Sequence, residues 1–195
     1  GRFATFRVDP DVPHPVQWVD YKDQAYDRGH LAPYKAMGGD RDGDGRYAAQ
    51  DPDDASTILQ ANYLSNIVPQ HPRLNRSPGL WFQLERFVQD TLVARRGQKV
   101  WIFAGPIFGP GEQERIGAHR DIDVPLWFFE LVIMDAATES SPKVLAFLLP
   151  HQRVPYGRLE NFLVSVDVIE ALTGLDFLSE LDDRLETPLE QANTW

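Results

Sequence analysis

Asp27-Arg28-Gly29-His30 sets a base for the neutral range and a fixed cation two positions apart. Imidazole is the one side chain whose unperturbed pKa lets it accept a proton near neutrality. Arg28 offers a permanently charged planar fork that suits a phosphate oxygen. Gly29 allows a sharp turn or a close backbone approach between them. Phosphodiester hydrolysis needs few parts beyond these. A base must activate water, a cation must offset charge on the phosphorane and leaving oxygen, and donors must hold the phosphate. Such a cluster on its own is more often a surface hydrogen-bonding group, so its context decides.

A second chemistry is written into Asp40-Arg41-Asp42-Gly43-Asp44-Gly45, followed by Asp51. Acids at positions one, three, five and twelve, with Gly at six, fit a calcium loop: hard carboxylate oxygens folded inward around a glycine bend. Asp40, Asp42, Asp44 and Asp51 are thus candidate ligands of a structural Ca2+. The competing reading is a solvated acidic loop. Asp in place of Glu at the twelfth position reaches less far, and neither flank reads as a helix. His71, His119 and His151 carry no motif and read as surface or hydrogen-bonding histidines.

The elements that must position these groups belong to a chain of 195 residues, which suits one compact domain, 1–195, with an acidic Gly/Asp loop at 38–56. Five Trp and eleven Phe can fill a sizeable core. No apolar run approaches the ~18 residues of a membrane span, so the chain reads as soluble, with no membrane partner. Cysteine is absent, which excludes disulfides, thiolate zinc sites and a Cys nucleophile. The net charge is −10, awkward for a partner of nucleic acid. Its distribution softens that objection. From Glu160 onward nine acids face one base, and 40–54 holds six acids against two, which leaves +2 for the remainder.

Along the chain, 1–17 reads as an extended entry with an edge strand at 5–8. Residues 62–68 read as a strand stopped by Pro69. From Pro78 to about Ala94, apolar residues recur at helical spacing, with Pro78 suited to the first turn and Gly97 to the stop. Residues 99–104 read as a buried strand. Residues 123–134 and 144–149 are two further strands joined by a polar turn. Residues 163–166 follow as a short strand. A helix capped by Asp167 runs to Thr173 and closes at Gly174, and a last helical turn lies near 177–181. The rhythm lacks regular βαβ units and predicts an α+β domain with a mixed or antiparallel sheet core.

Tyr26-Asp27-Arg28-Gly29-His30-Leu31-Ala32-Pro33 resembles the signature of the DNA/RNA non-specific endonucleases, a family that includes secreted bacterial nucleases and mitochondrial endonuclease G. Asn62-Tyr63-Leu64-Ser65-Asn66-Ile67-Val68-Pro69-Gln70 is similar to its second signature. Leu74-Asn75, followed by Trp81 and Leu84-Glu85, is similar to its third. Weaker echoes continue through Phe103-Ala104-Gly105-Pro106, 124–129 and 146–150 to a last helix around 166–174.

The resemblance implies a ββα-metal (His-Me finger) site and an endonuclease with little base preference, acting on DNA and RNA. His30 becomes the general base and Arg28 the phosphate contact. Asn75 becomes the direct ligand of a Mg2+ (or Mn2+) that otherwise keeps its waters. Glu85 holds that water cluster from the helix, and Asn66 supports the site. Asp27 fixes the turn. Read alone, Asn66 could equally satisfy backbone groups at a strand end, Glu85 is an ordinary solvated helix residue, and Asn75 a turn or cap residue. Trp81 is core on either reading. A narrower phosphodiesterase and a degenerate binding module on the same scaffold are the alternatives. Family habit and the leaderless start suggest a secreted or periplasmic address, and an inhibitor protein is a candidate partner.

Two departures from the family pattern bear on geometry. Asn75 and Glu85 stand ten residues apart, a longer spacing than is usual in the family. An insertion inside a continuous helix would turn Glu85 off its face at about 100° per residue. The extra residues must therefore lie in Arg76-Ser77-Pro78-Gly79, which leaves Asn75 on a loop. Glu130 stands where relatives commonly carry Lys, which removes a cation and alters the grip on substrate.

Overall fold

A computed structural model of the chain describes residues 5–21, 25–33, 36–37, 59–118, 122–134, 142–151 and 157–192. The architecture is mixed α+β with antiparallel sheets, as the alternation of short strands and few helices predicts. The chain divides into two compact units, neither continuous in sequence: 1–71 with 110–124, and 72–109 with 125–195.

The first unit is built on a two-stranded ribbon, β1 (Asp27–His30) and β2 (Ile67–Gln70), in antiparallel register with His30 opposite Ile67 and Asp27 opposite Gln70. Pro69 does not stop β2 but sits inside it. The Leu31 N–H bonds the Asn66 carbonyl at 3.0 Å. Alternation along the ladder then makes Arg28–Pro69 a pair without hydrogen bonds, where a missing N–H costs nothing. A 3-10 turn at Leu64–Asn66 replaces the first part of the expected strand. Among its described residues the entry segment contributes no strand either; Arg7 bridges Tyr63, in parallel sense. A second small ribbon pairs β4 (Arg115–Ile116) with β5 (Ile122–Asp123). Tyr21, Leu64, Ile67, Ile116, Ile122 and Val124 form the core between these ribbons. The buried Tyr21 hydroxyl donates to the Ile67 carbonyl at 3.0 Å and so pins β2. Burial, and then the Asp20 charge, push that phenol's pKa upward, so it stays a donor.

The second unit has a four-stranded antiparallel sheet. β3 (Val100–Ile107) lies at one edge, followed by β6 (Trp127–Met134), β7 (Lys143–Pro150) and β8 (Leu163–Val164). The edge place of β3 explains two differences from the expected buried strand ending at 104. It tolerates Pro106, and it leaves Trp101 and Phe103 exposed.

Helix α1 (Pro72–Asn75) is a single turn, and α2 (Leu80–Arg86) continues into a π-helical stretch at Phe87–Arg95, followed by Gly97 at φ 64°. Trp81, fully buried, meets Phe128 of β6 edge-on at 5.4 Å. The opposite sheet face carries Phe129, Leu131 and Ala146, which pack with Val166 and Ile169 of α3 (Val166–Thr173). Ser165, not Asp167, takes the N-cap position of α3, and Gly174 closes it at φ 71°. Residues 177–180 form bends and a turn in place of the expected helical turn, and α4 (Asp183–Gln191) follows. No helix of the described residues is long and apolar enough to cross a membrane.

Candidate active site

Two-residue periodicity along β1 sends Arg28 and His30 to one face of the ribbon and Asp27 and Gly29 to the other. Arg28 is exposed and His30 half-buried. His30 Nε2 lies 3.1 Å from Asn62 Oδ1. An amide oxygen has only lone pairs to offer, so Nε2–H must donate, and in neutral His30 the basic lone pair is then on Nδ1. Asn62 is itself almost fully buried, and among the described residues its Nδ2 has no hydrogen-bond partner. Phe6 stacks against His30 with ring centroids 5.6 Å apart, and the Arg28 guanidinium carbon lies 4.6 Å from the same Phe6 centroid.

Asn66 is occupied with the backbone. Its Oδ1 accepts from the Ala32 N–H at 2.9 Å, and its Nδ2 donates to the carbonyls of Ala32 and Ala61 at 2.9 and 2.8 Å. It ties the exit of β1 to the turn before Asn62, a support for His30 at one remove.

On the other face of the ribbon, Gln70 is fully buried, and among the described residues neither end of its carboxamide has a hydrogen-bond partner. It lies against Gly29, the one residue type that leaves it room. Asn62 and Gln70 are functional-site candidates that motif reading passed over. Both stand inside the second signature, but only folding reveals them as buried amides beside the Arg-Gly-His strand.

Asn75 and Glu85 belong to the second unit. Asn75 ends α1, where the Arg76 N–H closes the turn on the Pro72 carbonyl at 2.9 Å. The expectation that it sits on a loop is therefore corrected: Pro72 starts a helical turn and carries Asn75 on it. Residues 76–79 form the connection between α1 and α2. A Cβ on Gly79 would stand 2.2 Å from the Leu74 carbonyl oxygen, so glycine lets this connection fold tightly onto α1. Glu85 is half-buried on α2, beside the face carrying Leu80, Trp81 and Leu84.

Glu130, central in β6 and 3% exposed, shares the sheet face of Phe128. Burial first, and the Glu85 charge second, push its pKa up to about 8. Its position is therefore that of an uncharged acid at neutral pH.

The donors available for a divalent cation are oxygens: the Asn75 carboxamide and the Glu85 carboxylate. Few protein oxygens suit an ion such as Mg2+, which dehydrates reluctantly and keeps its waters. The donor set fits such an ion. Among the described residues, the carboxylate triads Asp167/Glu170/Glu190 and Asp176/Glu186/Glu190 contain no motif residue. A cavity of about 620 Å³ in the first unit, lined by Gly111–Arg115 and Asp123, contains none either. Asp40, Asp42, Asp44, Asp51 and His119 lie outside the described residues. His71 meets Tyr26 edge-on at 6.3 Å, and His151 Nδ1–H donates to the Pro125 carbonyl at 2.7 Å, both in keeping with packing roles.

The chain is 31% identical over 195 residues to mitochondrial nuclease 1 of Schizosaccharomyces pombe, covering 92% of this chain and 55% of that one. It is 29% identical to human mitochondrial endonuclease G, covering 92% and 58%, and 28% identical to a nuclease of Nostoc, covering 93% and 62%. It thus spans about half the length of the curated relatives it matches. A crystal structure of the EndoG/EndoGI complex, titled for the mechanism of EndoG inhibition, shares the fold with a TM-score of 0.72 at 22% identity. That match covers 94% of this chain and 72% of the other. Relatives from fission yeast, human and budding yeast are named as mitochondrial, which overturns the expected secreted or periplasmic address. That expectation leaned on the start of the chain, which says nothing where only part of each relative is spanned. The DNA/RNA non-specific endonuclease model matches residues 1–184, and the chain belongs to that family.

Proposed function

We propose that this chain is a metal-dependent endonuclease that hydrolyses phosphodiester bonds of DNA and RNA with little base preference, its two units serving as one nuclease domain. The observation that carries the reading is the hydrogen bond from His30 Nε2 to Asn62 Oδ1, with Arg28 on the same strand face. It supports an imidazole whose basic nitrogen is Nδ1, beside a phosphate-binding cation.

In this reading His30 Nδ1 takes a proton from water as the water oxygen bonds to phosphorus and the bond to the leaving oxygen breaks. Arg28 holds a non-bridging phosphate oxygen through its N–H fork. Asn75 is the direct protein ligand of a divalent cation, Mg2+ by the oxygen chemistry of its donors, and Glu85 orients the ion's waters. When bound, the cation supplies charge that offsets the phosphorane and the leaving oxygen. Asn66 supports the strand exit. These groups address phosphate and not base edges, hence the lack of base preference. The relatives' names extend the reading to a mitochondrial address, and the EndoG/EndoGI neighbour supports an inhibitor protein as a partner.

A narrower phosphodiesterase on small substrates is the second reading, favoured by the net charge of −10 and the buried acid at Glu130. Plasmid and RNA cleavage with Mg2+, with EDTA, and with His30→Ala tests the proposal. Mg2+-dependent cleavage, lost in the variant and falling steeply with salt, is expected. A folded chain that leaves plasmid and RNA intact overturns it in favour of the narrower enzyme.

A further inference from the structure

Two side chains on one face of β1 must hold fixed orientations to act, and a single aromatic ring touches both. The Phe6 centroid lies 5.6 Å from that of His30, with the ring planes 38° apart, and 4.6 Å from the guanidinium carbon of Arg28. Residues two apart on a strand share a face, which is how one ring can meet both.

Phe6 is not a loose contact. It packs against the core of Tyr21, Leu64 and Ile67. The next residue is bonded on both sides: Arg7 N–H donates to the Asn62 carbonyl at 3.1 Å, and its carbonyl accepts from Leu64 N–H at 2.9 Å. Asp9 accepts a hydrogen bond from the Ser65 hydroxyl. The strap is thus fixed to the very segment whose Asn62 holds the His30 imidazole. A ring bonded at one nitrogen can still turn about that bond, and an aromatic face beside it restrains the turn. A guanidinium laid over an aromatic ring keeps its N–H rim available for phosphate oxygens while its free rotation is lost.

We propose that Phe6 is a positioning residue for both Arg28 and His30, setting the aim of the guanidinium and the tilt of the imidazole. This rests on the roles assigned above to those two residues.

The test uses the full chain with Phe6→Leu, Phe6→Met and Phe6→Tyr, read by steady-state cleavage, melting, and NMR of the His30 ring protons. Loss of the ring should lower kcat about tenfold through misplacement of the base and raise KM through Arg28, with the melting transition retained. Phe6→Tyr should restore both to about twofold of wild type. The His30 ring protons should shift in the Leu variant, which loses the neighbouring ring current, and return in the Tyr variant. Phe6→Met fills similar space and gives the reading if Phe6→Leu does not fold. Wild-type kcat and KM in a folded Leu or Met variant, with His30→Ala inactive, overturn the role of Phe6 alone. Cleavage retained by His30→Ala overturns the underlying assignment instead.

Discussion

The carboxamide of Gln70 lies across the backbone of Gly29, so closely that a Cβ at Gly29 would stand 2.2 Å from Gln70 Cδ and Oε1. The glycine between Arg28 and His30 is therefore required by packing, since its φ is not in the left-handed region. Gly29→Ala must push Gln70 or bend β1, at about 2 kcal/mol of stability. Because β1 carries Arg28 and His30, cleavage should fall at least about tenfold. Adding Gln70→Ala removes the obstruction, so the double variant should recover most of the stability. Chemical denaturation of the two single variants and the double gives the coupling; costs that simply add would show that the two residues do not compete for space.

Asn75 ends a one-turn helix that Gly79 folds against, so its place is set by helical backbone and not by a loop. If it is the direct ligand, Asn75→Ala should raise the Mg2+ concentration for half-maximal cleavage by about 10–100-fold. Asn75→Asp keeps an oxygen and should recover much of the response. Mg2+ titrations of cleavage measure this, and an unchanged midpoint in Asn75→Ala places the ligand elsewhere.

The α+β class, the positions of most strands, the helix around Trp81 and the Gly174 stop were legible because each follows from local periodicity or a φ-permissive residue. What escaped needed knowledge of neighbours. Pro69 stops nothing because, among the described residues, β2 pairs with β1 alone and that ladder leaves its nitrogen unused. Helix α4 is acidic, carries an internal Pro188 and marks its apolar face with only Leu185 and Leu189, too short a pattern to announce a helix. Asn62, Gln70 and Phe6 matter through contacts with β1 made from 32 or 41 residues along the chain for the two amides and from the entry segment for the ring. Composition and spacing hold no trace of such contacts.

Asn62 sets the His30 tautomer by accepting from Nε2 at 3.1 Å. Asn62→Asp keeps the acceptor and adds a negative charge, which stabilises imidazolium and raises the His30 pKa. A base must be deprotonated to act, so the acid limb of the kcat/KM profile should move to higher pH, with activity lost near neutrality and regained in alkali. Asn62→Ala should lower the plateau without that displacement. Superimposable profiles for wild type and Asn62→Asp would remove Asn62 from contact with the base.

Glu130 offers a stability readout independent of cleavage. The residue is 3% exposed, and its pKa stands at about 8 against the ordinary 4.5, chiefly through burial and then through Glu85. An acid whose pKa is raised on folding holds its proton in the native state while the unfolded chain has released it. The native state is therefore favoured fully below pH 4.5, and stability declines as pH rises from 4.5 to about 8. The slope is at most about 1.4 kcal/mol per pH unit. Glu130→Gln keeps the shape and removes the titration. It should flatten the stability profile across this window and leave the variant more stable than wild type at pH 8. Denaturation curves from pH 5 to 9 measure both, and parallel profiles for the two proteins would mean that Glu130 is ionised at neutral pH and its burial is offset by a charge.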